Sequence, residues 1–116
     1  MKKERIRIGF VGCGQFCRFF VPLFQAHPAV EFVGVTDKFP ERCKEYDELF
    51  HVDKIYDSFE QMLESKELNC IAIFSQRNQH GQMAIAALEA GKNVYSAVPM
   101  SMSIAEIEQI IALVRK

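Results

Sequence analysis

The 116-residue chain contains no tryptophan, and its four prolines and six glycines form no low-complexity tract or linker. No apolar stretch approaches the roughly 20 residues that a membrane-spanning helix needs. The basic N-terminus leads into Arg7 and then glycines, rather than into the apolar segment and cleavage site of a secretory signal. These absences favour one soluble domain over residues 1–116, with no membrane as its partner.

An excess of one charge is missing too, because 14 Lys and Arg face 15 Asp and Glu, for a formal net charge of −1. We therefore expect no nucleic acid as a partner. The four cysteines, Cys13, Cys17, Cys43 and Cys70, form no C-x-x-C pair, which favours reduced thiols and a cytoplasmic location. Cys13 and Cys17 lie one helical turn apart and leave open a redox or metal module, although no second pair has zinc-like spacing.

What the chain does have is a short apolar run that ends in two glycines, IRIGFVGCGQF at residues 6–16. The run predicts the first, buried strand of a parallel sheet. Gly12 permits a tight turn, and Gly14 lets the backbone approach a ligand. A helix predicted for residues 15–26 would place its free N–H groups over that turn, as pyrophosphate binding requires. The G-x-G-x-x-G fingerprint is incomplete because Cys17 takes its last position, so a strand-to-helix turn without a ligand stays open.

A second apolar run, VEFVGVTD at residues 30–37, ends in an acid. The spacing from Gly14 to Asp37 suits the carboxylate that bonds the adenosine ribose of NAD, although a helix cap or turn residue is the alternative. Lys38 follows the acid and could contact the 2′-phosphate of NADP. Because Asp37 would repel that phosphate, the sequence favours NAD, with NADP possible.

The rest of the chain alternates between helical and strand patterns, which predicts an α/β fold with a doubly wound parallel sheet of the Rossmann type. The predicted strands after the first two cover residues 54–56, 69–75 and 93–97. Capping boxes at Ser58 and Ser103 begin the third and fifth helices. The second and fourth helices are expected over residues 40–50 and 80–89.

Apolar residues at helical spacing predict the buried faces of three of these helices. The first helix is expected to pack a phenylalanine-rich cluster on the sheet, and the second and fifth to bury one stripe each. Pro22 is expected to kink or break the first helix. The three sets are Phe16, Phe19, Phe20, Leu23 and Phe24; Cys43, Tyr46, Leu49 and Phe50; and Ile104, Ile107, Ile111 and Val114.

Four segments of the chain carry a family resemblance: IGFVGCGQF at 8–16, VGVTDKFPERC at 33–43, HGQMAIAALEAGKNV at 80–94 and SAVPMSMSIAEIE at 96–108. With these segments the chain resembles the N-terminal domain of the Gfo/Idh/MocA oxidoreductases, the family of glucose–fructose oxidoreductase and inositol dehydrogenase. The resemblance implies the NAD(P)-binding half of a longer two-domain enzyme. In that enzyme a second domain binds a sugar-like or polyol substrate and forms the contacts of a homo-oligomer.

Carried over to this chain, the resemblance implies a set of cofactor-binding residues. One group belongs to the pyrophosphate turn, a second to the adenosine ribose, and a third to the carboxyl ends of the fourth and fifth strands. The groups are Gly12, Cys13, Gly14, Gln15 and Phe16; Asp37 and Lys38; and Ser75, Gln76, His80 and Ala97. For His80, a place at the helix N-terminus without a ligand is the alternative.

One departure from the family pattern concerns catalysis. The family's Glu-Lys-Pro motif, whose lysine takes part in proton transfer at the substrate, reads Ala97-Val98-Pro99 here. Val98 can neither ionise nor donate a hydrogen bond, so it cannot act as a general acid or base. We therefore name no catalytic residue. The two hypotheses are an oxidoreductase that moves a hydride between nicotinamide and a hydroxyl or carbonyl carbon, and a non-catalytic nucleotide-binding or regulatory relative.

Overall fold

The computed structural model describes residues 5–97 and 101–115. In this part of the chain five parallel strands form one sheet in the order β3-β2-β1-β4-β5. The strands are β1 (Ile6–Val11), β2 (Val30–Thr36), β3 (Lys54–Ile55), β4 (Cys70–Ile73) and β5 (Asn93–Ser96). The order reverses at β1, which pairs with β2 on one side and β4 on the other. The predicted doubly wound α/β fold is confirmed, and its switch point lies at the end of β1.

Among the described residues, four α-helices and two short 3₁₀ turns lie between the strands, and a fifth α-helix follows β5. The helices are α1 (Val21–Ala26), α2 (Pro40–Phe50), α3 (Phe59–Glu64), α4 (His80–Glu89) and α5 (Ile104–Val114), and the turns cover Cys17–Phe19 and Arg77–Gln79. Alternate residues of the strands face opposite layers. Ile8 and Phe10 pack with α1 and α2, whereas Val11, Ile71 and Ile73 pack with α3, α4 and α5.

The helix starts agree with the capping pattern in the sequence. Pro40 occupies the first turn of α2, where its missing N–H costs nothing. The Ser58 hydroxyl accepts a 3.1 Å hydrogen bond from the N–H of Gln61, and the Gln61 side chain accepts from the N–H of Asp57 rather than of Ser58. None of the described helices is long and apolar enough to cross a lipid bilayer.

The first helix, predicted over residues 15–26 with a kink or break at Pro22, starts later than expected and is broken before Pro22 rather than at it. A bend and the Cys17–Phe19 turn come first, and α1 begins only at Val21, so that Pro22 falls in its first turn. Because this segment does not lie flat on the sheet, Phe16 and Phe19 are 60% and 71% exposed. Leu23 is largely exposed too, and Phe20 and Phe24 carry the packing that was expected of the whole cluster.

Two other predicted apolar faces also differ from the structure. On α2, Cys43 and Tyr46 are buried as expected, but Leu49 is half exposed. The stripe predicted for α5 is exposed at Ile104 and Val114, whereas Ile110 is buried. Helix α5 packs on α4 at Gly81, where an added Cβ would collide with the Glu106 carboxylate. The buried residue of α5 is Ile110, one position before Ile111 of the predicted stripe.

Candidate functional site

A cavity of about 530 Å³ opens at the carboxyl ends of β1, β2 and β4, beside the point where the strand order reverses. Ligands of open parallel sheets lie at this place. Its walls come from the turn after β1, the loop and first helical turn after β2, the start of α3, and the segment that joins β4 to α4. The lining residues are Val11, Gly12, Gly14, Thr36, Asp37, Lys38, Phe39, Pro40, Arg42, Asp57, Ser58, Phe59, Phe74, Ser75, Gln76, Gln79 and Met83.

The two positions of the first turn, Gly12 and Gly14, are glycine for different structural reasons. Gly12 has a φ of +99°, and a Cβ there would lie 2.6 Å from the backbone of Phe74. Its N–H donates a 3.0 Å hydrogen bond to the carbonyl of Thr36, which holds the turn against β2. At Gly14 no described atom lies within 4 Å of an added Cβ. Gly12 is therefore needed by the fold, whereas Gly14 leaves room at the cavity for a ligand.

The carboxylate of Asp37 joins the end of β2 to the glycine turn. Its Oδ2 accepts a 2.6 Å hydrogen bond from the N–H of Cys13, and its Oδ1 accepts a 2.8 Å bond from the N–H of Phe39. Each carboxylate oxygen can accept more than one hydrogen bond, so both keep capacity for the hydroxyl groups of a ribose. The two backbone bonds fix the orientation of the carboxylate before any ligand arrives.

The segment after β4 forms the opposite wall. Ser75 and Gln76 line the cavity, and the Ser75 hydroxyl contacts the sulfur of Met83 at 3.1 Å. His80 is only 2% exposed, and its Nε2 lies 2.7 Å from the carbonyl oxygen of Ser75. Because a carbonyl only accepts, Nε2 carries the proton. His80 thus lies behind the cavity wall and braces the backbone of Ser75.

The structure brings together about half of the residues that the sequence and the resemblance proposed. Gly12, Gly14, Asp37, Lys38, Ser75 and Gln76 line the cavity. Among the other described residues, Cys13, Gln15, Phe16, His80 and Ala97 do not. The N–H of Ala97 donates to the carbonyl of Ile73 at 2.9 Å. Val98 and Pro99 lie outside the described residues. Cofactor contacts of all eleven residues remain predictions.

Sequence reasoning missed several lining residues, of which Arg42 and Phe39 matter most. The Arg42 guanidinium lies over the Phe39 ring, 4.8 Å from its centre, at the rim next to Asp37. A signal for them was present in the sequence. Both belong to the segment that directly follows the acid, and the first turn of a helix after a strand lies at the carboxyl edge of the sheet. The pair adds an aromatic face and a cation to the ribose side of the cavity.

The thiols lie beneath the glycine turn rather than in the cavity. Cys13, Cys17 and Cys43 are all buried, and the Cys13 thiol donates to the carbonyl oxygen of Thr36 at 3.6 Å. The neighbouring Cys43 thiol and burial raise the pKa of Cys13, burial raises the pKa of Cys17 to about 12, and the neighbouring Cys13 thiol lowers the pKa of Cys43. Cys13 and Cys17 therefore stay protonated, and protonated thiols are poor nucleophiles and metal ligands. Residues 5–97 and 101–115 contain no group of three or more His, Cys, Asp or Glu that could hold a metal ion.

Comparison with known proteins shows which family the chain belongs to. Residues 6–116 match the model of a protein family described as an oxidoreductase family with an NAD-binding Rossmann fold, Gfo/Idh/MocA. The chain belongs to this family. The geometry fits the family's cofactor, because an open glycine turn and a pre-oriented carboxylate meet at one cavity, as a pyrophosphate and its neighbouring ribose require.

Curated members of the Gfo/Idh/MocA family with similar sequences carry several names. A trans-1,2-dihydrobenzene-1,2-diol dehydrogenase from Xenopus laevis is 26% identical over 93% of this chain and 33% of its own length. A myo-inositol 2-dehydrogenase from Thermotoga maritima is 23% identical over 96% and 33%. A glycosyl hydrolase family 109 protein from Bacteroides fragilis is 29% identical over 95% and 26%. The chain spans about a third or less of the length of these relatives.

Solved structures show the same fold. An NAD-binding protein from Listeria innocua superposes with a TM-score of 0.87 at 28% identity, over 97% of this chain and 33% of that one. A 3-ketoreductase from Actinomadura kijaniata, in complex with TDP-benzene and NADP, superposes with a TM-score of 0.86 at 23% identity, over 96% and 35%. The family is thus described by its NAD-binding Rossmann fold, and the proteins similar to this chain include dehydrogenases and a glycosyl hydrolase family 109 protein.

Proposed function

We propose that residues 1–116 form the cofactor domain of a longer oxidoreductase that transfers a hydride between NAD(P) and a sugar-like or polyol hydroxyl or carbonyl carbon. In this proposal, as in the family resemblance, a second domain binds the substrate and forms oligomer contacts. When bound, the nicotinamide supplies the hydride chemistry, and the protein binds and orients the reactants. The names of the myo-inositol dehydrogenase and the 3-ketoreductase support this class of substrate.

The observation that carries the proposal is the hydrogen bond between Asp37 and the glycine turn. The 2.6 Å bond from Cys13 N–H to Asp37 Oδ2 holds the ribose-binding carboxylate next to the pyrophosphate turn. A dinucleotide needs both at this separation, because its ribose and pyrophosphate are covalently joined. A turn without a ligand needs neither the open space at Gly14 nor a carboxylate at the cavity.

We propose NAD as the preferred cofactor, because the Asp37 carboxylate would repel a 2′-phosphate. Lys38 and Arg42 at the same rim offset part of this repulsion, so NADP is expected to bind more weakly rather than not at all. The balance between one anion and two cations therefore sets the ratio of the two affinities. An exposed rim lets water and salt screen these charges, which keeps the ratio modest.

Calorimetric titration with NAD and with NADP tests the proposal. The wild-type chain is expected to bind NAD at micromolar to low millimolar concentrations and NADP more weakly. Asp37→Ala is expected to lose NAD affinity and to gain affinity for NADP relative to NAD. Asp47→Ala on α2, which does not line the cavity, serves as the control. A folded wild-type chain that binds neither dinucleotide would refute the proposal.

The Ala97-Val98-Pro99 sequence favours a second candidate, a relative that binds nucleotide without catalysing its reduction or oxidation. Without an ionisable side chain at position 98, the proton that accompanies hydride transfer needs another carrier. Turnover of a polyol panel by the full-length protein separates the two. Tight dinucleotide binding without turnover supports the non-catalytic relative, and a partial gain of activity in Val98→Lys would support it further.

A further inference from the structure

Tyr46 on α2 is fully buried, yet its hydroxyl reaches the cofactor turn from the core side. The hydroxyl donates a hydrogen bond to the carbonyl oxygen of Gly14. The ring packs edge-on against Phe50, with ring centres 5.5 Å apart and planes at 90°. Tyr46 does not line the cavity, so it contacts the turn without being able to contact a ligand there.

The direction of this bond determines where a neighbouring donor points. The carbonyl of Gly14 and the N–H of Gln15 belong to one planar trans peptide, in which the two groups point in opposite directions. Tyr46 holds the carbonyl toward the buried side of the turn. The N–H of Gln15 is thereby turned away from Tyr46, and the adjoining Gly14 lines the cavity.

Two side chains from different elements thus hold two peptide groups of the turn, Gly12–Cys13 and Gly14–Gln15, which are separated by one peptide. Asp37 accepts from the N–H of Cys13, and Tyr46 donates to the carbonyl of Gly14. Because one contact is an acceptor and the other a donor, they fix the turn against rotation about the bonds between Cys13 and Gln15. A turn fixed before binding loses less conformational entropy when a ligand arrives.

The environment of the Tyr46 hydroxyl keeps it a donor. Burial raises the pKa of Tyr46, so the phenol stays protonated over the whole physiological range. The carbonyl of Gly14 can only accept, so the single O–H of the neutral phenol is the donor of this bond.

We propose that Tyr46 is a positioning residue for the pyrophosphate of the cofactor: it fixes the Gly14–Gln15 peptide so that the Gln15 N–H faces the ligand. This inference rests on the proposed binding of NAD(P) and names a residue outside the cavity that determines its affinity.

Tyr46→Phe removes the hydroxyl and keeps the ring. Tyr56→Phe is the matched control, because Tyr56 is equally buried but its hydroxyl bonds Ser65 and Glu67, away from the turn. Binding of NADH, ADP-ribose and adenosine is measured for the wild type and both variants. Tyr46→Phe is expected to lower the affinity for NADH and ADP-ribose, which both contain a pyrophosphate, by about two- to tenfold. This is the usual range for the loss of one hydrogen bond. Adenosine binding is expected to stay unchanged.

Amide hydrogen exchange gives a readout that does not need a ligand. Tyr46→Phe is expected to speed exchange at Gly12 and Cys13, whose N–H groups are hydrogen-bonded to Thr36 and Asp37, and Tyr56→Phe is not. Two results would overturn the inference: Tyr46→Phe weakens the binding of all three ligands equally, or it changes neither NADH binding nor amide exchange. In both cases binding by the wild type still upholds the proposed function. A folded wild type that binds no pyrophosphate ligand would sink the proposed function, and this inference with it.

Discussion

The carboxylate of Asp37 lies 2.6 Å from the backbone nitrogen of Cys13, 24 residues earlier in the chain. The acid that ends β2 and the turn that ends β1 are therefore one hydrogen-bonded unit. Asp37 has two roles in this unit: it holds the turn, and it presents the carboxylate to the ribose side of the cavity. A change at Asp37 is expected to affect the fold and the binding together.

Asp37→Asn tests this double role, because an amide has only one acceptor oxygen and its NH₂ group would face either Cys13 or Phe39 N–H. We expect the free energy of unfolding to fall by about 1–3 kcal/mol, the cost of leaving a donor without its partner, and NAD affinity to fall as well. Urea denaturation and calorimetry measure the two effects, with Asp47→Asn as the control. Weaker binding at unchanged stability would show that the bond to Cys13 contributes little to the turn.

The two glycines of the turn are expected to respond differently to the same substitution. Gly12→Ala places a methyl 2.6 Å from the Phe74 backbone at a φ of +99°, so it should destabilise the fold by more than about 1–2 kcal/mol. Gly14→Ala meets no described atom within 4 Å, so stability should stay near that of the wild type. Its methyl enters the ligand's space, and NADH affinity should fall at least about tenfold.

Thermal melts and NADH titrations of the two glycine variants check this contrast. Each is the other's control, since both add one methyl to the same turn. A destabilised Gly14→Ala, or a Gly14→Ala that binds as well as the wild type, would mean that the ligand does not approach the turn from the open side.

Arg42→Ala is expected to weaken the binding of NADPH more than that of NADH, because the Arg42 guanidinium lies at the rim beside Asp37, stacked on Phe39. We expect a loss of about 1 kcal/mol for NADPH, in the range of an exposed ion pair, and a smaller loss for NADH. Lys44→Ala removes a similar charge from the same helix outside the cavity and is the control. The difference should shrink as salt is added. Equal losses for both dinucleotides would point to a stacking role of Arg42 instead.

His80→Leu separates a structural from a ligand-binding role of this histidine. Loss of the 2.7 Å bond to the Ser75 carbonyl should lower the free energy of unfolding by about 1–3 kcal/mol. NADH affinity per folded molecule should change little, because His80 lies behind the cavity wall. His27→Ala, at an exposed site, controls for the loss of an imidazole. A large loss of affinity at full stability would favour the contact near the nicotinamide that the resemblance implies.

The chain should lose stability in alkaline solution because burial raises the pKa of several thiols, among them the partly buried Cys70. Burial raises the pKa of Cys70 from about 9 to about 11. A raised pKa contributes stability that is fully present below pH 9 and is lost as the pH rises toward 11. Cys70→Ala removes this dependence, so the stability gap between wild type and variant should narrow by about 1–2 kcal/mol between pH 8 and pH 10.5. Urea denaturation at both values measures it, and the gap at pH 8 isolates the packing cost. A constant gap would contradict the raised pKa.

Much of the fold could be read from local patterns. Buried strands such as Ile6–Val11 are mostly apolar on both faces. Helix starts at Pro40 and Ser58 are marked by residue types that lie within four residues of each other in the sequence. The glycine turn and the acid after the second strand have side-chain requirements that few other residues meet. For this reason the α/β class, the order of elements and the core of the candidate site could be predicted without coordinates.

Other features depended on contacts between distant residues. The bond from Tyr46 to Gly14 joins residues 32 positions apart, and the Cys13 thiol bonds the carbonyl of Thr36 rather than the nearby Cys17. Periodicity likewise misjudged the inward face of α5, where Ile110 rather than Ile104 is buried. By itself the sequence determined which segments become strands and helices, since that choice rests on neighbouring residues. Only the tertiary structure decided which faces are buried and which side chains meet, because those energies arise when separate segments pack together.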